Sequence, residues 1–213
     1  MDVLIAGGHG QIARHLIRKL AAAGHHPRGM IRNPDHAADI EADGGVPVLC
    51  DLENDDPAPH VGTADAIVFA AGAGPGSGTE RKRTMDYGGA VKLIEAAEKL
   101  GVRRYVMVSS VGADDPSRAS ESMRAYQQAK HDADVALADS SLDWTIVRPG
   151  RLTEEPGTGT VDLASALPRG EIPRDDVALV LYHCLSAENT VRAQFDLVAG
   201  PVPADVAVRS VRG

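Results

Sequence analysis

A chain of 213 residues with 43% hydrophobic and 24% charged residues can bury the core of one folded domain. Thirty acidic against 22 basic residues give a formal charge of -8, which argues against nucleic acid or an anionic membrane as the main partner. Aromatics make up only 3%, too few to build a stacking platform for single-stranded nucleic acid.

In chain order, Asp2 to Ala6 is an apolar run that predicts a first strand, stopped by Gly7-Gly8-His9-Gly10. The helix that follows buries Ile12, Leu16 and Leu20 and ends near Gly24. Glycines at such a turn allow positive φ and close approach of a ligand, and the helix start favours an anion. The small Ala13 lets the helix lie close on its strand. Further strands are expected at Pro27 to Ile31, Val46 to Cys50, Ala66 to Ala70, Arg104 to Ser109 and Trp144 to Val147. Helices are expected at Asp35 to Glu41, Arg83 to Leu100 and Ser120 to Ala138, and Glu53 to His60 reads as loop with at most a helical turn. Ala71 to Gly78 is too glycine-rich for regular structure. After Arg151 the rhythm loosens into a polar loop, a short strand near Val161, a helix from Asp175 and a last strand from Gln194 to Val198.

Strand–helix alternation of this kind predicts an α/β fold, a Rossmann-type doubly wound parallel sheet, with a small C-terminal annex on the substrate side. Residues 1–213 are expected to form a single domain, 151–213 supplying the substrate-side lobe. In such sheets ligands sit at the carboxyl ends of the strands. The unusual loops all follow strands: Gly7 to Gly10, Arg32-Asn33, Asp51-Leu52, Ala70 to Gly72, Ser109-Ser110 and Pro149-Gly150 should line one edge.

An NAD site usually carries an Asp or Glu at the end of the second strand. Here that position reads Met30-Ile31-Arg32-Asn33, and Arg32 suits the 2′-phosphate of NADP. Arg14 assists it or is surface. Asp51 either meets the adenine edge or caps the next turn.

Gly7-Gly8-His9-Gly10-Gln11-Ile12-Ala13, Arg32-Asn33, Asp51-Leu52, Val108-Ser109-Ser110, Tyr126-Gln127-Gln128-Ala129-Lys130 and Arg148-Pro149-Gly150 resemble the short-chain dehydrogenase/reductase superfamily. More closely, they resemble its atypical single-domain NAD(P)H-binding branch, near the biliverdin IXβ/flavin reductases and the NmrA-like proteins. The likeness spans nearly the whole chain and is weakest after Glu154. The resemblance implies that Ser110, Tyr126 and Lys130 do the proton chemistry. Four residues apart, Tyr126 and Lys130 share one helical face, and an ammonium beside a phenol (ordinary pKa about 10) stabilises its phenolate. It also implies cofactor contacts from Gly7, Gly8, His9, Gly10, Gln11, Ile12, Arg32, Asn33, Asp51, Leu52, Ala70, Ala71, Gly72, Ser109, Lys130, Pro149 and Gly150.

The expected function is NADP-dependent hydride transfer to a small carbonyl, quinone or flavin-like substrate, NADPH being preferred over NADH. The alternatives are a non-catalytic NADP(H)-binding sensor, and a sugar epimerase or dehydratase with a recycled cofactor. Only about sixty residues follow Arg151, which leaves little room for a nucleotide-sugar domain. Cys50 and Cys184 lie in apolar runs without metal-ligand spacing, so both read as reduced core residues of a cytoplasmic protein. No metal is expected, and a small-molecule substrate is the expected partner of a monomer or homodimer. The start of the chain lacks a secretory pattern and no apolar run approaches a membrane span.

Overall fold

The computed structural model describes residues 1–74 and 76–212. Pro75 of the glycine-rich stretch and Gly213 lie outside the described residues. Eleven strands and eight helices are laid out among them. The first half runs β1 (Asp2–Ala6), α1 (Gln11–Ala22), β2 (His26–Ile31), α2 (Ala37–Ala42), β3 (Val46–Leu49), α3 (Ala58–Val61) and β4 (Ala66–Phe69). Then come α4 (Thr79–Arg81), a π-helical segment (Lys82–Gly89), α5 (Ala90–Leu100), β5 (Arg104–Val108), α6 (Glu121–Ala138) and β6 (Asp143–Pro149). The last part holds β7 (Arg151–Thr153), β8 (Thr160–Ala164), β9 (Glu171–Pro173), α7 (Arg174–Cys184), β10 (Ala193–Ala199), β11 (Val202–Pro203) and α8 (Ala204–Ser210).

Nine strands form one sheet in the order β11-β8-β10-β6-β5-β4-β1-β2-β3. The strands from β3 to β10 in that order pair in parallel, and only β8 runs antiparallel to its neighbours. Strand order reverses between β1 and β4, so the crevice of this Rossmann-like sheet opens there. The period of two along each strand divides the core between the faces. Val3, Ile5, Val68, Val106 and Val147 pack with α1, α7 and α8. Leu4, Ala6, Phe69, Tyr105, Met107 and Ile146 pack with α5 and α6. Strands covered on both faces read as unbroken apolar runs, which made β1, β4 and β5 visible in the sequence.

The structure corrects several expectations. The helix expected at Arg83 to Leu100 starts earlier, and its stretch Lys82–Gly89 is wound as a π-helix. In the C-terminal annex, β8, β10 and β11 extend the main sheet, while β7 and β9 form a separate two-stranded sheet. Strands of two or three residues show no period, and so β7, β9 and β11 escaped sequence reading, as did α8. No described helix is long and apolar enough to cross a membrane. Cys50 and Cys184 are free and buried, and burial pushes their thiols up to about 11 and about 12, so neither is a ready nucleophile.

Candidate functional site

The parallel strands bring the loops after β1, β2, β3, β4, β5 and β6 to one edge of the sheet. At the crevice, Gly7 has φ +75°, and a Cβ there would meet Ala71 Cα at 2.6 Å in the loop after β4. A Cβ on Gly8 would meet the Gly29 backbone at 2.7 Å, while the Gly8 amide donates to the Met30 carbonyl at 2.8 Å. The turn is thus wedged between β2 and the β4 loop, and two of its glycines are required by backbone geometry. Gly10 precedes α1 with no side-chain cap, and the first turn of α1 carries no acid. Its first amides are therefore left for an anion, and the cradle fits the pyrophosphate of a dinucleotide. Gly8→Ala should force β2 and the turn apart. An overpacking cost of about 1–3 kcal/mol corresponds to a Tm lower by roughly 2–12 °C, readable in a thermal melt.

Around this cradle, His9 Nε2 meets Asp39 Oδ2 at 2.8 Å, and its ring stacks on His36 with centroids 3.6 Å apart. Arg14 donates to Asp43 at 2.5 Å, and Arg18 to the same carboxylate at 2.7 Å. Burial works to raise the Asp43 carboxyl, but the two arginines outweigh it and hold its pKa below the ordinary value. Arg14 is thereby committed to Asp43. Gln11 Nε2 reaches Glu154 Oε2 at 3.1 Å, tying the start of α1 to the segment after β7, and Ile12 is buried.

Arg32 projects from the end of β2 with 56% of its side chain exposed, its one carboxylate partner being Glu53 at 3.9 Å among the described residues. Arg81 shares Glu53 at 3.1 Å, and Thr84 donates to it at 2.6 Å. Asn33 accepts from the Asp35 amide and caps the short 3-10 turn Pro34–His36. Asp51 accepts from the Glu53 amide at 3.0 Å and the Asn54 side chain at 2.8 Å, so its carboxylate caps the turn after β3. Leu52 is buried, its carbonyl held by Lys92 at 3.0 Å. Ala70 is half-buried, Ala71 buried and Gly72 exposed.

On the other side of the crevice, α6 lays Tyr126 and Lys130 toward β4 and β5. Lys130 is buried, with Nζ 5.9 Å from the Tyr126 ring centre and 6.0 Å from that of Phe69. Its hydrogen bond goes to the Val108 carbonyl at 3.2 Å, and Asp86 Oδ1 lies 3.3 Å away as an ion-pair partner. Apart from this ion pair, the buried Oδ1 has no hydrogen-bond partner among the described residues. Burial penalises the Lys130 ammonium, but Tyr126, Asp86 and Asp134 outweigh it and its pKa is raised. The Tyr126 ring is half-buried. Ser110 accepts from Gln127 Nε2 at 3.3 Å, so the residue after Tyr126 holds the hydroxyl expected to face the substrate.

Ser109 donates instead to Asp134 Oδ2 at 2.9 Å, inside a buried cluster completed by Arg148, whose Nε lies 2.9 Å from the same oxygen. Pro149 ends β6 with its carbonyl bonded to the Val111 amide, and Gly150 donates to the Leu197 carbonyl at a place where a Cβ would run into the Gly170 backbone. Asp86 had no place in the sequence reading. Its signal was available: it lies four residues before Ala90 and seven before Leu93, a carboxylate on the extension of the apolar stripe.

Residues 7–188 match the NAD(P)H-binding family. The chain is 39% identical over 99% of its length to the whole of a Bacillus subtilis protein named as an uncharacterised sugar epimerase, YhfK. A Bacillus halodurans protein named as a candidate NAD-dependent epimerase/dehydratase superposes with TM-score 0.94 at 39% identity, covering 98% of both chains. The oxidoreductase ylbE of Lactococcus lactis superposes with TM-score 0.88 at 25% identity, over 99% of this chain and 96% of its own. With the glycine cradle, the reversal of strand order and these likenesses in agreement, the chain belongs to the NAD(P)H-binding family.

Proposed function

We propose that this protein is an NADPH-dependent oxidoreductase acting on a small carbonyl, quinone or flavin-like substrate. The observation that carries the reading is the buried Lys130 ammonium beside the half-buried Tyr126 ring, across the crevice from an uncapped helix start. The coarser reading, an NAD(P)H-binding oxidoreductase or epimerase, already follows from the family. Bound NADPH would supply a hydride from its nicotinamide C4.

The residues of this chain supply the rest. The turn Gly7 to Gly10 and the first amides of α1 bind pyrophosphate, and Arg32 pairs with the adenosine 2′-phosphate. Lys130 holds its charge under Tyr126, whose phenol gives or takes the proton at the substrate oxygen, and Ser110 orients that oxygen. Pro149 and Gly150 wall the nicotinamide side of the crevice. Residues 151–213 border the substrate, and the buried unpaired cysteines suit a cytosolic setting.

A second reading is favoured by the names of two relatives: an epimerase or dehydratase, in which the same phenol abstracts a proton and the cofactor is recycled. Fluorescence titration with NADPH and NADH, followed by a screen of NADPH oxidation against aldehydes, quinones and flavins, separates the two. Net NADPH consumption supports the oxidoreductase. Tight binding with no consumption on any acceptor overturns it and favours the recycled cofactor or a binding-only sensor. In the same titration Arg32→Ala should weaken NADPH about ten- to hundred-fold, as loss of a charge-assisted bond does, and change NADH less than about threefold. Equal losses for the two would remove Arg32 from the 2′-phosphate site.

A further inference from the structure

The π-helical segment Lys82–Gly89 carries Asp86, whose side chain is 1% exposed, into the space between the loop after β4 and α6. Buried carboxylates need partners, and Asp86 has two of different kind. Oδ2 accepts the Ala73 amide of the glycine-rich loop at 3.1 Å. Oδ1 faces Lys130 Nζ at 3.3 Å and lies 3.0 Å from where a Cβ on Gly72 would stand, so the loop packs tightly against it. π-Helical turns are rare and recur at functional sites, where one extra residue redirects a side chain.

We propose that Asp86 is a positioning residue, one oxygen holding the Lys130 cation beneath Tyr126 and the other pinning Ala73 in the loop that borders the crevice. Its bearing on turnover rests on the reading of Tyr126 and Lys130 as a reacting pair; its bearing on Lys130 does not. The groups that bear most on the Lys130 charge among the described residues come from two elements. Tyr126 and Asp134 come from α6 itself, the latter neutralised by Arg148 of β6, and Asp86 comes from the π segment. β5 and β4 contribute the Val108 carbonyl and the Phe69 ring. Asp86 is therefore the carboxylate near Lys130 that no arginine holds among the described residues. Without it, burial has the larger say over the ammonium.

The test is a pH titration of [13Cε]lysine-labelled protein by NMR, without cofactor. The chain has five lysines, and Lys130→Arg identifies the Lys130 signal by its loss. In the parent the signal should stay in its ammonium position to above pH ~10. In Asp86→Asn, which keeps the shape and an acceptor but not the charge, its midpoint should fall by about 1–3 units. Exchange of the Ala73 amide should rise about tenfold or more in Asp86→Ala and stay slow in Asp86→Asn. An unmoved Lys130 midpoint in Asp86→Asn overturns the proposal, as does unchanged Ala73 exchange in Asp86→Ala. Should Asp86→Asn fail to fold, Asp86→Asn/Lys130→Met takes its place. Restored folding supports the pairing, and a double variant no more stable than the single one overturns it. Neither readout involves turnover, so an inert Tyr126 leaves them intact, and an active Tyr126 cannot rescue them.

Discussion

Tyr126→Phe should lower turnover on any working acceptor by about 10²–10⁴-fold while leaving NADPH affinity within roughly threefold, the signature of a lost proton donor. The expectation comes from the isolation of the hydroxyl. No hydrogen bond ties the Tyr126 oxygen to another described residue, so its removal breaks no internal contact. The ring stays, and with it the packing over Lys130. Stability should accordingly change by less than about 0.5 kcal/mol. A steady-state assay beside a fluorescence titration separates the two effects. Turnover equal to that of the parent would remove Tyr126 from the chemistry and leave a protein that binds NAD(P)H without this mechanism.

The second large effect concerns folding. Arg148→Met should destabilise the protein by about 3–5 kcal/mol, a Tm lower by roughly 6–20 °C. Arg148 and Asp134 are both nearly inaccessible, with side chains 7% and 3% exposed. Two guanidinium nitrogens of Arg148 lie 2.9 and 2.8 Å from one Asp134 oxygen, which also accepts from Ser109. The other Asp134 oxygen has no partner among the described residues. Burial already raises the Asp134 carboxyl above its ordinary value despite Arg148, Ser109 and Lys130. A folded pKa above the unfolded one means that the folded state takes up the proton more readily. The penalty in Arg148→Met is therefore largest above the folded pKa and shrinks as pH falls toward the ordinary carboxylate range. Asp134→Leu/Arg148→Met, which removes both charges, should recover most of the loss. A double variant as unstable as the sum of the singles would show that packing, not charge, governs this cluster.

The two predictions differ in how far the sequence could lead to them. Tyr126 and Lys130 were visible because helix geometry alone puts residues four apart on one face. The glycine turn was visible for a similar reason. Gly7 and Gly8 answer to a backbone conformation and a close strand approach, and both leave a mark at the residue itself. Arg32 stood out because a strand end has few neighbours that can change its meaning.

What stayed hidden depends on partners far away in the chain. Ser109 was assigned to the cofactor, but its hydroxyl is spent on Asp134. Arg148 was legible only as the first residue of Arg148-Pro149-Gly150, and its guanidinium turns to the same carboxylate. Asp51, which suited either adenine or a cap, is drawn into capping by Asn54 and the Glu53 amide. The π turn that delivers Asp86 to Lys130 follows from no local propensity.

The sequence by itself determined the alternation of strands and helices, the edge where the loops gather, and the glycine turn before α1. These rest on periodicity and on backbone constraints written residue by residue. Only the tertiary structure decided which buried charges pair, because burial makes an unpaired charge costly and the nearest opposite charge comes from another element. It is that pairing that sets Asp86 under Lys130 and takes Ser109 and Arg148 out of the crevice.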